Sequence, residues 1–142
     1  MPPLVIDSSV AIKWFLPEPY STEARRILGG YQTNSLTFLA PDLINAEFGN
    51  IIWKKHQYQG LATVDAETII SQFRKLSFEL TSTAILLEDA YRLAVAHQRT
   101  VYDCLYIALS IREGCQMVTA DDRLVNSVGS SFPNLIWLAN WP

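Results

Sequence analysis

Leu4-Val5-Ile6-Asp7-Ser8-Ser9-Val10 decides how this chain is read. Three apolar residues make a short strand, and Asp-Ser-Ser ends it while offering side-chain oxygens to cap the helix that follows over Val10 to Leu16. A second stretch repeats the pattern: Met117-Val118-Thr119-Ala120-Asp121 is a strand over Gln116 to Thr119 that leads into an acid and a short helix, Asp121 to Ser127. Each acid is thus placed just beyond the carboxyl end of a strand.

Between these stretches, strand and helix patterns alternate. Pro17 and Pro19 stop the first helix. A helix over Ser21 to Leu28 is predicted to end at Gly29-Gly30, followed by a strand over Leu36 to Ala40 and a helix from Asp42 to Gln59 closed by Gly60. Val64 to Leu76 reads as a helix and Phe78 to Leu80 as a strand. Thr83 to His97 reads as a helix with Leu87, Tyr91, Ala94 and Val95 inward, and Tyr102 to Glu113 as a helix ended by Gly114. Leu135 to Leu138 closes the set as a last strand. Strands separated by helices predict an α/β fold, a mainly parallel sheet covered on both faces, with residues 1–142 as a single domain.

Composition narrows the function. Hydrophobic residues are 49% of the chain and charged residues 18%, so a packed core is expected and each acid is worth questioning. A net charge of −3, with the basic residues scattered, argues against holding duplex DNA by positive field alone. Cys104 and Cys115 lack the spacing of a zinc site or a disulfide framework and read as small hydrophobes. The first strand carries no basic leader and the tail is broken by Gly and Pro, so a cytoplasmic protein is expected.

Glu47 and Asp103 lie early in two amphipathic helices and can point into the crevice where Asp7 and Asp121 emerge. Each acid alone reads as a cap or a solvated position. Together they repel, at about 3 kcal/mol for a pair ~5 Å apart at an effective dielectric of ~20. A hard cation among them, Mg²⁺ or Mn²⁺, relieves this, since such ions take oxygen ligands and keep several waters. The chemistry such a site supports is hydrolysis of a phosphodiester. Ser9 and Thr119 are candidates to orient the carboxylates, and Asn50, one turn beyond Glu47, to touch a carboxylate or the substrate. Lys13 and Arg123 are candidates for a substrate phosphate, set against the ordinary reading of solubilising charge.

Val5-Ile6-Asp7-Ser8-Ser9-Val10, Ala46-Glu47-Phe48-Gly49-Asn50, Tyr102-Asp103-Cys104-Leu105-Tyr106-Ile107-Ala108-Leu109 and Val118-Thr119-Ala120-Asp121 together resemble, in order and spacing, the motifs of PIN-domain ribonucleases, more narrowly the VapC toxins of toxin–antitoxin pairs. The resemblance implies a three-layer α/β/α fold, a Mg²⁺- or Mn²⁺-dependent endoribonuclease, a homodimer and a cognate antitoxin partner. Asp7, Glu47, Asp103 and Asp121 match the family's acidic quartet. Asp122 adjoins the last of them, and the Thr-x-Asp spacing favours Asp121.

Other readings stand beside this one. A PIN scaffold used only to bind protein or RNA would not require the intact quartet. A haloacid-type phosphatase would show Asp-x-Asp where this chain has Asp7-Ser8-Ser9, and a phospho-acceptor receiver would show an acidic pair there. His56 and His97, near helix C-termini, read as dipole-stabilised positions rather than ligands. The tryptophans read as core or interface, with self-association or antitoxin docking expected around Trp14-Phe15-Leu16 and Ile51-Ile52-Trp53.

Overall fold

A computed structural model describes residues 2–142. Five strands, β1 (Pro3–Ile6), β2 (Thr37–Pro41), β3 (Glu79–Thr81), β4 (Gln116–Thr119) and β5 (Leu135–Trp137), form one sheet in the order β3-β2-β1-β4-β5. Every neighbouring pair is parallel. The chain builds outward from β1 to β3 on one side and then from β4 to β5 on the other. The direction therefore reverses between β1 and β4, where an open sheet leaves a crevice beyond its carboxyl ends. Ile6 lies opposite Val118 in this pair, so Asp7 and the residues after Thr119 leave the sheet side by side.

The helices cover both faces: α1 (Ser8–Ala11), running into a 3-10 turn at Ile12–Trp14; α2 (Ser21–Gln32); α3 (Leu43–Gln59); α4 (Thr63–Arg74); α5 (Thr83–His97); α6 (Val101–Glu113); and α7 (Asp122–Val128). Leu4, Val5 and Ile6 of β1 are 1% exposed or less, which makes this strand the centre of the core. One aromatic cluster stacks Trp14 on Phe38 and sets the Trp14 indole nitrogen to donate to the Ala24 carbonyl at 2.9 Å. A second stacks Phe48 on Phe73 with centroids 3.9 Å apart, fixing α3 against α4.

Three expectations are corrected. α2 does not end at Gly29-Gly30 but continues to Gln32. Gly30 is a close-packing residue there, since a Cβ on it would lie 2.7 Å from Leu36 Cδ1. On α5 the expected inner face is largely wrong: Leu87, Tyr91 and Val95 are exposed, and Leu86 and Ala90 are buried instead. α6 is not amphipathic through its middle, where Cys104 to Ser110 are all buried. Of the tryptophans read as core or interface, Trp14 is core, whereas Trp53 is exposed beside Tyr58.

Candidate active site

Asp7, Glu47, Asp103 and Asp121 line one small cleft of about 80 Å³, with Ser8, Ser9 and Tyr106 beside them. They come from four elements: the end of β1, the second turn of α3, the first turn of α6 and the junction of β4 with α7. Asp122 is exposed and does not line the cleft.

Asp7 is 8% exposed and is the most completely held of the four. Its backbone is extended as it leaves β1, and its Oδ1 caps α1 by accepting from the Val10 amide at 3.3 Å. Ser9 donates its hydroxyl proton to the same Oδ1 and accepts from the Ala120 amide at 2.9 Å. Thr119 donates to Oδ2 and accepts from the Asp121 amide at 3.1 Å. Each hydroxyl has a single proton, so both are committed to the carboxylate, and the same atoms tie the end of β1 to the end of β4. Burial pushes the Asp7 carboxyl up to about 6 from an ordinary 3.8, against the pull of the hydrogen bonds from Ser9, Thr119 and Val10.

Glu47 is oriented by the Tyr106 hydroxyl, which donates to Oε1 at 2.5 Å, with Ser8 donating more weakly at 3.4 Å. Burial raises its carboxyl above the usual range, and the like charge of Asp103 adds to this. The same burial, with Glu47 beside it, drives the Tyr106 hydroxyl far above its ordinary value and keeps it a proton donor. Tyr106 stands inside a motif quoted above, yet its contact with an acid 59 residues away is visible only in the fold.

The other two acids are held differently. Asp121 Oδ1 caps α7, accepting from the amides of Arg123 and Leu124 at 3.0 and 3.2 Å. Its Oδ2 lies 3.9 Å from Arg99 Nη2, and that same nitrogen donates to Asp103 Oδ2 at 3.0 Å. Nothing in the sequence marks Arg99, a lone arginine between two helices.

The remaining candidates lie elsewhere. Lys13 does not reach toward the cleft as a free cation: it is buried, and its ammonium pairs with Glu18 at 3.1 Å, whose second oxygen pairs with Lys55 at 2.8 Å. Burial alone would raise the Glu18 carboxyl, but the bonds from Lys55 and Lys13 outweigh it and hold it below the usual range. Asn50 and Arg123 are exposed, and neither lines the cleft. Burial raises both cysteine thiols, Cys104 to about 11, so neither supplies a thiolate at neutral pH.

The donor set suits a hard divalent cation: the cleft offers carboxylate and hydroxyl oxygens, with no imidazole or thiolate lining it. Among the described residues no three acidic, histidine or cysteine side chains are gathered as a ready-made cage. The fit is therefore to an ion that keeps much of its water and takes only one or two carboxylates directly, the usual habit of Mg²⁺.

Known proteins resemble this chain in sequence and in fold. A profile of the PIN domain matches residues 4–128. Over 136 residues the chain is 33% identical to Ribonuclease VapC3 of Pyrobaculum aerophilum, spanning 94% of this chain and 97% of that one. The crystal structure of PAE2754, also from Pyrobaculum aerophilum, superposes with a TM-score of 0.70 at 20% identity, covering 97% of this chain and 85% of the other. VapC20 of Mycobacterium tuberculosis, described as a sarcin-ricin loop cleaving toxin, superposes with a TM-score of 0.62 at 15% identity over 88% of this chain and 96% of its own.

Proposed function

Because the chain belongs to the PIN-domain family, in its VapC-like ribonuclease branch, we propose that it is a Mg²⁺- or Mn²⁺-dependent endoribonuclease, the toxin of a VapBC-type pair, with Asp7, Glu47, Asp103 and Asp121 as its working acids. In this reading residues 1–142 form one PIN domain that acts in the cytoplasm as a homodimer, and a cognate antitoxin restrains it. No helix among the described residues is long and apolar enough to cross a membrane. The observation that carries the reading is the convergence of four acids from four elements on one cleft at the β1/β4 switch point.

A bound divalent ion would supply charge stabilisation on the scissile phosphate and a more acidic water, held by the four carboxylates or some of them. The chain's own contribution is orientation. Ser9 and Thr119 fix both oxygens of Asp7, so its direction does not change as the cleft is loaded. Tyr106 occupies Glu47 Oε1 and leaves Oε2 free. That oxygen, on a carboxyl raised by burial, accepts the proton of the water that attacks phosphorus as the bond to the leaving ribose oxygen breaks. Asp121 is anchored by the helix it caps.

The test is cleavage of a structured RNA by purified protein with Mn²⁺, with EDTA, and in Asp7→Asn and Asp121→Asn variants. Cleavage that needs the ion and disappears in both variants supports the reading. Cleavage unchanged in either variant rules it out, and binding of RNA with no cleavage under any condition leaves the scaffold reading in its place.

A further inference from the structure

Arg99 is placed with little freedom. Gln98 caps the end of α5 with φ 55°, Thr100 caps the start of α6, and Arg99 alone stands between them, its amide donating to the Ala94 carbonyl at 3.3 Å. From there the side chain turns inward, 23% exposed, and sets Nη2 at 3.0 Å from Asp103 and 3.9 Å from Asp121. Its Nε is fully buried and has no acceptor. A buried N–H without a partner opposes this pose, so the pose is held by the attraction of the two carboxylates.

Those carboxylates are half of the acidic quartet. A guanidinium carries one positive charge, so it offsets part of theirs. It also points at the Oδ2 atoms that a cation entering between Asp103 and Asp121 would use. We propose that Arg99 is an internal counter-ion that holds Asp103 and Asp121 together in the metal-free cleft and competes with the divalent ion for them. Arg99 then sets the metal concentration at which the cleft fills. The inference rests on the metal reading given above and concerns a positioning residue, not one that touches the reacting atoms.

The experiment is calorimetric titration of Mn²⁺ into wild type, Arg99→Leu, Arg99→Gln and Arg99→Lys, with thermal midpoints in EDTA and in saturating Mn²⁺. Removing the charge tightens Mn²⁺ binding on the order of tenfold, equivalent to about 1.4 kcal/mol. It also lowers the midpoint in EDTA, by an amount that Mn²⁺ restores, and Arg99→Lys returns the affinity toward wild type. Should Arg99→Leu fail to fold, Arg99→Gln carries the test. Unchanged or weaker binding in the uncharged variants overturns the role of Arg99 while leaving the metal site standing. Failure of wild type to bind Mn²⁺ overturns the metal reading and this inference with it.

Discussion

Asp7 makes metal-free stability depend on pH in a direction opposite to that of most paired carboxylates. Its folded-state value of about 6 lies above the ordinary 3.8, so its protonated form is favoured by folding. Its contribution is fully present below the unfolded value and is lost as pH rises through the folded one, about 3 kcal/mol in all. A little under half of that loss, about 1.4 kcal/mol, falls between pH 5 and 7.5, which corresponds to roughly 4 °C for a chain of this size. Glu18 acts in the other sense, contributing above its unfolded value and losing this as pH falls through the lower folded one, and so stays ionised across that window. Thermal and urea denaturation of wild type and Asp7→Asn in EDTA, from pH 5 to 7.5, isolates the effect, because every other ionisable group is common to the two proteins. Wild type should lose about 1.4 kcal/mol more than the variant over this range, and saturating Mn²⁺ should reverse the trend by binding the ionised carboxylate. Parallel profiles in EDTA would refute the assignment of Asp7 as a buried, desolvated acid.

Thr119→Val removes one of the two hydroxyl donors to Asp7, a bond to a charged group worth about 1.5–3 kcal/mol. The acidic limb of the pH–rate profile should move upward, and a limb that stays in place contradicts the orienting role. Tyr106→Phe frees Glu47 Oε1 while leaving the ring in the core; RNA cleavage should fall while stability drops by no more than about 1.5–3 kcal/mol in urea titration. Full activity in this variant would remove Tyr106 from the site. Phe48→Ala empties a fully buried position stacked on Phe73 and should cost about 3–5 kcal/mol by the same titration, with a loss under 1 kcal/mol counting against the packing described.

The sequence is most legible where chain direction and chemistry coincide. Asp7 and Asp121 end apolar strands, so alternating strands and helices are enough to place both at the carboxyl edge of a parallel sheet. Glu47 and Asp103 lie early in their helices, which lets them point at that edge once the helix N-terminal parts pack near the strand ends. What escapes is whatever a second element decides. α5 carries apolar side chains around more than half its circumference, so periodicity alone does not choose between Leu86-Ala90 and Leu87-Tyr91 as the buried edge; packing against the rest of the molecule does. Gly29-Gly30 signals a helix end by propensity, yet the helix runs on and the Leu36 side chain packs closely over Gly30. Lys13 stands six residues from Asp7 but is turned toward Glu18 on the loop after the Ile12–Trp14 turn. Arg99 reaches an acid 22 positions away, a contact that only the pairing of β1 with β4 and the burial of α6 bring about.

The most direct measurement of the central claim is anomalous diffraction from a crystal soaked in Mn²⁺. The account predicts a peak inside the cleft bounded by Asp7, Glu47, Asp103 and Asp121, bonded to one or two of their oxygens and otherwise to water. A saturating soak that leaves the cleft without a peak, or places the ion away from all four carboxylates, would contradict it.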